Sequence, residues 1–267
     1  MPPCIACGGG CRVSLWQIIV KFLFSTLFLQ AAWRTLWISV VSQTFGVIIG
    51  LILALMRMSR FPLLSWPARF YIWLFRGSPL LVQILILYDG IPQVMPSLTK
   101  YLTVYSVALI AFSFNEGAYM AEIIRAGITS VDPGQMEAAK ALGMRYPLAM
   151  RRIVLPQAAR VIVPPLGNEF NNMLKTTSLA SIVGLFELTY TAQVYGSQDF
   201  IIFQLLLVAT VYYLLLTTLW GYVQGWIENR MDPDRSTRNE LLKQKGLAER
   251  LFGFGSARVG GTLVSGR

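Results

Sequence analysis

Residues 130–156 read SVDPGQMEAAKALGMRYPLAMRRIVLP. The segment is basic, punctuated by proline and too polar for the hydrocarbon of a bilayer, yet apolar runs lie on both sides of it. Asp132 suits an N-cap, and Pro133 suits the first helical position, where its missing N–H removes nothing that a helix would use. Gln135 follows Asp132 by three residues and is placed to return a hydrogen bond, as in a capping box. Glu137, Ala138, Ala139, Lys140 and Ala141 are good helix formers. Gly143 suits the left-handed position that stops a helix. The pattern predicts a helix of about ten residues capped at both ends. A second short helix is expected from Pro147 to about Val154, with Pro156 turning the chain back. Small side chains at Ala138 and Ala139 allow close approach, and the Glu137 carboxylate is an acceptor. Such a helix fits docking into a partner's groove; a loop helix lying on the membrane is the alternative.

Outward from this loop the chain is apolar. Of 267 residues, 55% are hydrophobic and 13% charged, against about a quarter charged in soluble domains. Thr35 to Met56 and Phe200 to Ile227 are each long enough, at roughly 20 residues, to cross about 30 Å of hydrocarbon. Five spans are expected. They are 35–56, a short one built on Pro79 to Tyr88 and borrowing from 66–78, 101–124, 161–186 and 200–224. Val13 to Trp33 is interrupted by Lys21 and is expected to lie at the interface or form a short extra span. The fold class is therefore all-α and polytopic. The domains are a leader with its interfacial helix (1–30), a membrane domain (31–228) and a basic, Gly- and Ser-rich tail (229–267) expected to be disordered.

The net charge of +10 matters less than its placement. The 57–76 loop, the 125–160 loop and the tail together hold eighteen of the 23 basic residues. The opposite hairpins, 88–100 and 186–200, hold only Lys100 against Asp89, Glu187 and Asp199. Basic loops stay in the cytoplasm. With five spans the N-terminus is then outside and the C-terminus inside. Histidine is absent, which counts against metalloenzymes and His-dependent hydrolases. Cys4, Cys7 and Cys11 fall short of the four ligands of a closed zinc site, so no metal site is expected.

The loop's order E-A-A, three residues, G, nine residues, I-x-L-P is met by Glu137-Ala138-Ala139, Gly143, Ile153 and Leu155-Pro156. It resembles the loop by which ATP-binding-cassette import permeases contact their ATPase subunits. Three further stretches resemble the branch that handles polar amino acids: Phe75-Arg76-Gly77-Ser78-Pro79-Leu80-Leu81-Val82-Gln83, Gly117 to Arg125, and Pro164-Pro165-Leu166-Gly167-Asn168-Glu169-Phe170. Thr177-Ser178-Leu179 continues the last. The likeness covers about residues 30–228; the cysteine-bearing leader and the long basic tail depart from it. It implies an inner-membrane half-transporter for polar amino acids. Its partners would be a second permease subunit (identical or homologous), two ATPases and an extracytoplasmic binding protein, with lipid around it and no nucleic acid. Asp132, Glu137, Ala138, Ala139, Gly143, Ile153, Leu155 and Pro156 would carry the coupling. The chain lacks the G-x4-G-K-[ST] phosphate loop, so no cofactor is expected here and ATP–Mg would sit on the partner ATPases.

Polar groups at bilayer depth are expensive, roughly 2.5–3.5 kcal/mol for a charge at mid-helix, and so point to function. Asn168, Asn172, Lys175 and Thr176 fall at i, i+4, i+7 and i+8, one helical face, with Glu169 beside it. A zwitterion finds an acidic and a basic partner there. Asn115, Tyr119 and Glu122 share a second face, from which Glu116 is turned by about 100°. Asn115 and Tyr119 are expected to complete a cavity. Glu122 and Arg125 suit a structural ion pair or gate, and Arg76 suits an anchor at a helix break. Packing glue between helices is the plain alternative for the amides and hydroxyls. Other functions compatible with the same residues are an importer of another small nitrogenous solute, such as an opine, and an autonomous channel or ion-coupled carrier. The latter would use Glu116, Glu122, Glu169 and Lys175 as a relay.

Overall fold

Ser25 starts the first long helix, its hydroxyl oxygen accepting from the Phe28 N–H at 3.4 Å. The helix that follows, α2, runs without interruption from Thr26 to Met58. Residues 15–231 are described by a computed structural model; the cysteines, the 1–12 leader and the tail from 232 lie outside the described residues. A short helix α1 (Leu15–Leu23) precedes the Ser25 break. The boundary expected near residue 35 therefore falls at 25, because residues 26–34 join the span. At 1.5 Å per residue the 33 residues of α2 extend about 50 Å, well beyond a hydrocarbon core.

After α2 come α3 (Pro62–Gly77), α4 (Leu80–Leu85), a π-helical turn (Ile86–Gly90) and α5 (Ile91–Val94). The axis turns by 103° at the Gly77–Pro79 break, so the short run at 79–88 does not extend α3 as one straight rod. Then follow α6 (Val104–Thr129), α7 (Pro133–Ala141), α8 (Tyr146–Ala149), a π-helical turn (Met150–Val154) and α9 (Leu155–Thr176). A 3-10 segment (Thr177–Val183), α10 (Leu188–Gln198) and α11 (Ile202–Met231) complete the described chain. No strand occurs among the described residues. Three helices are long and apolar enough to cross a membrane alone, namely α2, α6 and α11, and the bent α3–α5 pair makes a fourth. The expected span at 161–186 is divided between α9 and the 3-10 segment. Its polar stripe keeps α9 out of that set. The chain up to Gln224 forms one compact unit, and residues 225–231 finish α11.

The centre of that unit is the contact of α2 with α6. Gly46 and Gly50 lie one turn apart, so their bare faces form a groove, the small-xxx-small arrangement of close helix pairs. A Cβ at Gly46 would lie 2.6 Å from Cγ of Glu116, and one at Gly50 would lie 2.9 Å from the backbone nitrogen of Ala121. Both approaches are too close for a side chain, and their register makes the two helices parallel. Their C-terminal ends consequently lie together. Arg57 (α2) and Arg76 (α3) meet Glu122 of α6 there.

Candidate functional site

Two regions carry polar chemistry. The first is a cavity of about 580 Å³ between α4, α6 and α9. Asn115, Glu116 and Tyr119 reach it from α6, and Glu169, Asn172, Lys175 and Thr176 from α9. Leu80, Phe112, Met173 and Leu179 supply apolar wall. Six of the seven residues expected to bind a solute are thus brought together. Asn168 is not: it is exposed, and its Oδ1 accepts from Nε2 of Gln224 at 3.2 Å. α9 is one register short of bringing it round, since the cavity takes the face of 169, 172, 173 and 176.

Glu116 is the residue that helical counting turned away. It lines the cavity with only 5% of its surface exposed. The reason is tertiary. The cavity lies in the angle between two helices, so residues about 100° apart on α6 both border it. Its carboxylate accepts from Nε2 of Gln43 at 3.0 Å, and its Cβ and Cγ rest on Gly46. Oε1 of the buried Gln43 and Oγ of its neighbour Ser42 have no hydrogen-bond partner. Gln43 and Ser42 sit within an otherwise apolar span. Polar residues there are a signal open to sequence reading, passed over because they carry no charge.

Asn115 borders the cavity with both donors engaged: its Nδ2 donates to the Phe75 carbonyl at 3.1 Å and to Oε1 of Gln83 at 3.2 Å. Gln83 in turn donates to the Phe75 carbonyl, the Ser78 carbonyl and the Ser78 hydroxyl, at 3.0, 3.2 and 2.9 Å. These bonds satisfy the carbonyls laid bare where α3 ends, as buried polar groups in a membrane require. Asn115 and Gln83 hold the bend that carries Leu80 into the cavity wall.

Below Tyr119 sits an ion cluster. Glu122 pairs with Arg57, with Arg125 at 3.1 Å and with Arg76 at 3.7 Å. The Arg76 guanidinium also lies over the Tyr119 ring, 5.4 Å from its centroid. The expected Glu122–Arg125 pair is present, and Arg57 joins it because α2 and α6 end together. These three ion pairs all centre on Glu122. Among the described residues, Glu116, Glu169 and Lys175 form none. Lys175 also borders a second hollow, of about 350 Å³, with Thr189, Tyr213 and Thr217. There Tyr213 donates to the buried Glu187 at 2.6 Å.

The second region is the loop between α6 and α9. Oδ1 of Asp132 accepts from the Gly134 N–H at 2.7 Å, and Pro133 opens α7. Gln135 does not close a capping box; its Oε1 accepts from Gln157 at 3.4 Å, pinning α7 to the start of α9. Gly143 has φ +78°, and the chain closes there with Gly143 N–H to Lys140 O (2.9 Å) and Met144 N–H to Ala139 O (3.0 Å). That is the Schellman pattern. Ala139 is buried, whereas Glu137 and Ala138 are exposed and Leu142 is 82% exposed. The second short helix does not end at Pro156. Residues 146–176 are helical throughout, because Pro156 falls in the first turn of α9, where no N–H is needed. Ile153 is half-buried, while Leu155 and Pro156 are exposed.

Residues 46–233 match the family model described as binding-protein-dependent transport system inner membrane component. The arginine transport system permease protein ArgU of Corynebacterium glutamicum is 38% identical over 244 residues, 86% of this chain and 75% of that one. The probable amino-acid permease protein YxeN of Bacillus subtilis is 39% identical over 216 residues, 81% of this chain and 95% of that one. Among solved structures, an amino acid ABC transporter crystallised with histidines is 36% identical, with a TM-score of 0.72 over 82% of this chain and all of that one. The MetNI methionine transporter, at 17% identity and a TM-score of 0.61 over 77% of this chain and 96% of that one, shares the fold.

Proposed function

The chain belongs to the family of binding-protein-dependent transport system inner membrane components, and we propose from that membership how it works. It is the inner-membrane permease subunit of an ATP-binding-cassette importer of polar amino acids. The α7 segment docks on a separate ATPase, which holds ATP–Mg, while this chain supplies the pathway and no hydrolytic site. A second permease subunit completes the pathway, and an extracytoplasmic binding protein delivers the amino acid. The basic loops and the C-terminus face the cytoplasm and the N-terminus faces outward, in keeping with the charge asymmetry.

One observation carries this reading. A helix capped at Asp132 and closed at Gly143 leaves Glu137, Ala138 and Leu142 uncovered, in a segment too polar for lipid. An exposed apolar side chain beside a rigid helix end fits a groove on a partner. When nucleotide draws the ATPases together, α7 moves as a unit. Through the Gln135–Gln157 bond and the continuous 146–176 helix, that motion reaches α9 and the cavity wall. The cavity is the site the amino acid crosses. Lys175 meets its carboxylate, an acidic side chain meets its ammonium, and Asn172, Thr176 and Tyr119 add polar contacts.

The test is reconstitution with the ATPase and binding protein in liposomes. Gly143→Asp and Glu137→Ala are expected to abolish ATPase association or coupled uptake with the permease still inserted. Uphill uptake by the permease alone, or normal uptake by Gly143→Asp, overturns the reading in favour of an autonomous carrier.

A further inference from the structure

We propose that the cavity selects an amino acid whose side chain carries a positive charge, and that Glu116, steadied by Gln43, is the group that recognises that charge. The inference rests on the cavity being the transport site, as proposed above, and adds the class of cargo.

It starts from a charge count. Three ionisable side chains with a formal charge at neutral pH line the cavity: Glu116 and Glu169, both acidic, and Lys175. The formal sum is one negative charge. Among the described residues none of the three is in an ion pair. Arg76 lies over the Tyr119 ring and faces Glu122. A neutral zwitterion has one group for Lys175 and one for a single carboxylate, and leaves the second carboxylate unpaired, Glu116 being buried. Such a charge is costly unless paired. A cationic amino acid, with two positive groups and one negative, matches the set one for one. A volume of about 580 Å³ lies within the ordinary range for small-molecule sites, so a long side chain fits.

Glu116 is the better placed of the two acids to recognise the side chain. It is 5% exposed, where Glu169 is more open. Gln43 holds one of its oxygens at 3.0 Å and the bare Gly46 backbone supports its stem, so its second oxygen keeps one orientation. The Gln43 acceptor oxygen is itself 94% buried by residue and unpartnered. The remaining carboxylate capacity of Glu116 is an acceptor at the cavity wall, and a guanidinium or alkylammonium brings several donors on one cation. Gln43 does not border the cavity and acts as a positioning residue.

The permease is purified with its ATPase subunits in lipid nanodiscs, without the binding protein, whose own selectivity would mask the permease. Equilibrium binding of labelled arginine is competed with unlabelled arginine, with glutamine and with citrulline, the neutral isostere of arginine. Wild type is expected to favour arginine over citrulline by at least about tenfold, the effect of ~1.4 kcal/mol. Glu116→Gln is expected to bring that ratio close to one, largely through weaker arginine binding, and Gln43→Leu to give an intermediate ratio. Equal wild-type affinity for arginine and citrulline overturns the charge selectivity and leaves the cavity as a site for neutral amino acids. A wild-type preference that survives Glu116→Gln but collapses in Glu169→Gln overturns the assignment to Glu116. Absence of saturable binding of any amino acid at millimolar concentration overturns the cavity reading itself. Should Glu116→Gln fail to assemble, the wild-type ratio and the Gln43→Leu ratio decide the matter.

Discussion

Gly143 separates two ways in which the proposed coupling through the α7 loop can fail. Its φ of +78° lies in the left-handed region, and a Cβ built on it meets nothing within 4 Å. Within this chain, Gly143→Ala therefore introduces no clash, and its whole cost is conformational. The left-handed conformation costs an L residue roughly 1–2 kcal/mol, which favours opening of the two closing bonds, Gly143 to Lys140 and Met144 to Ala139. An increase of about 1.4 kcal/mol is a tenfold change in the ratio of closed to open cap. Asparagine enters this conformation more easily than alanine, so Gly143→Asn is expected to retain most of the cap. The assay is coupled uptake in proteoliposomes beside co-purification with the ATPase. The expected order is glycine, then asparagine, then alanine, with alanine lowering coupling several-fold while leaving expression intact. If asparagine and alanine are equally defective, the defect comes from a side chain meeting the partner and not from the backbone. Normal coupling and normal ATPase affinity in Gly143→Ala would refute the claim that the closed cap is needed.

Other consequences follow from the packing. Gly50→Ala drives a methyl onto the α6 backbone near Ala121 and is expected to cost about 1–3 kcal/mol, the scale of overpacking, seen as a lower unfolding temperature in detergent. Glu122→Gln removes the carboxylate that Arg57, Arg76 and Arg125 all pair with. It should destabilise more than Arg125→Gln, which leaves Glu122 two cations, and thermal unfolding of the two variants decides. Gln83→Leu strips the bend after Gly77 of three hydrogen bonds and leaves Asn115 short of an acceptor. A loss of ~1–3 kcal/mol for the unsatisfied groups is expected, with weakened amino-acid binding because the cavity wall at Leu80 shifts.

Much of the architecture was legible in the order of residues alone. Apolar length announces α2, α6 and α11, and the cap at Asp132 and the stop at Gly143 bound α7 almost to the residue, because both depend on local backbone chemistry. The periodicity of Asn172, Lys175 and Thr176 likewise marked a face that does border the cavity. Errors gathered where a distant element decides the outcome. Gln135 had a local partner available and took Gln157 instead. Pro156 looked like a turn and became the first turn of a continuous helix. Asn168 shared the predicted stripe, yet it meets α11, where Gln224 donates to it.

By itself the sequence determined an all-helical membrane protein with basic loops, a capped loop helix and a polar stripe. Those features follow from side-chain transfer energies and from hydrogen bonds spanning five residues or fewer. Tertiary structure alone decided that Glu116 belongs to the cavity, that Gln43 holds it and that Arg57 reaches Glu122. All three follow from one close contact, the glycine groove of α2 set parallel against α6. Residues some seventy positions apart become neighbours there only because Gly46 and Gly50 lack the atoms that would keep the helices separate.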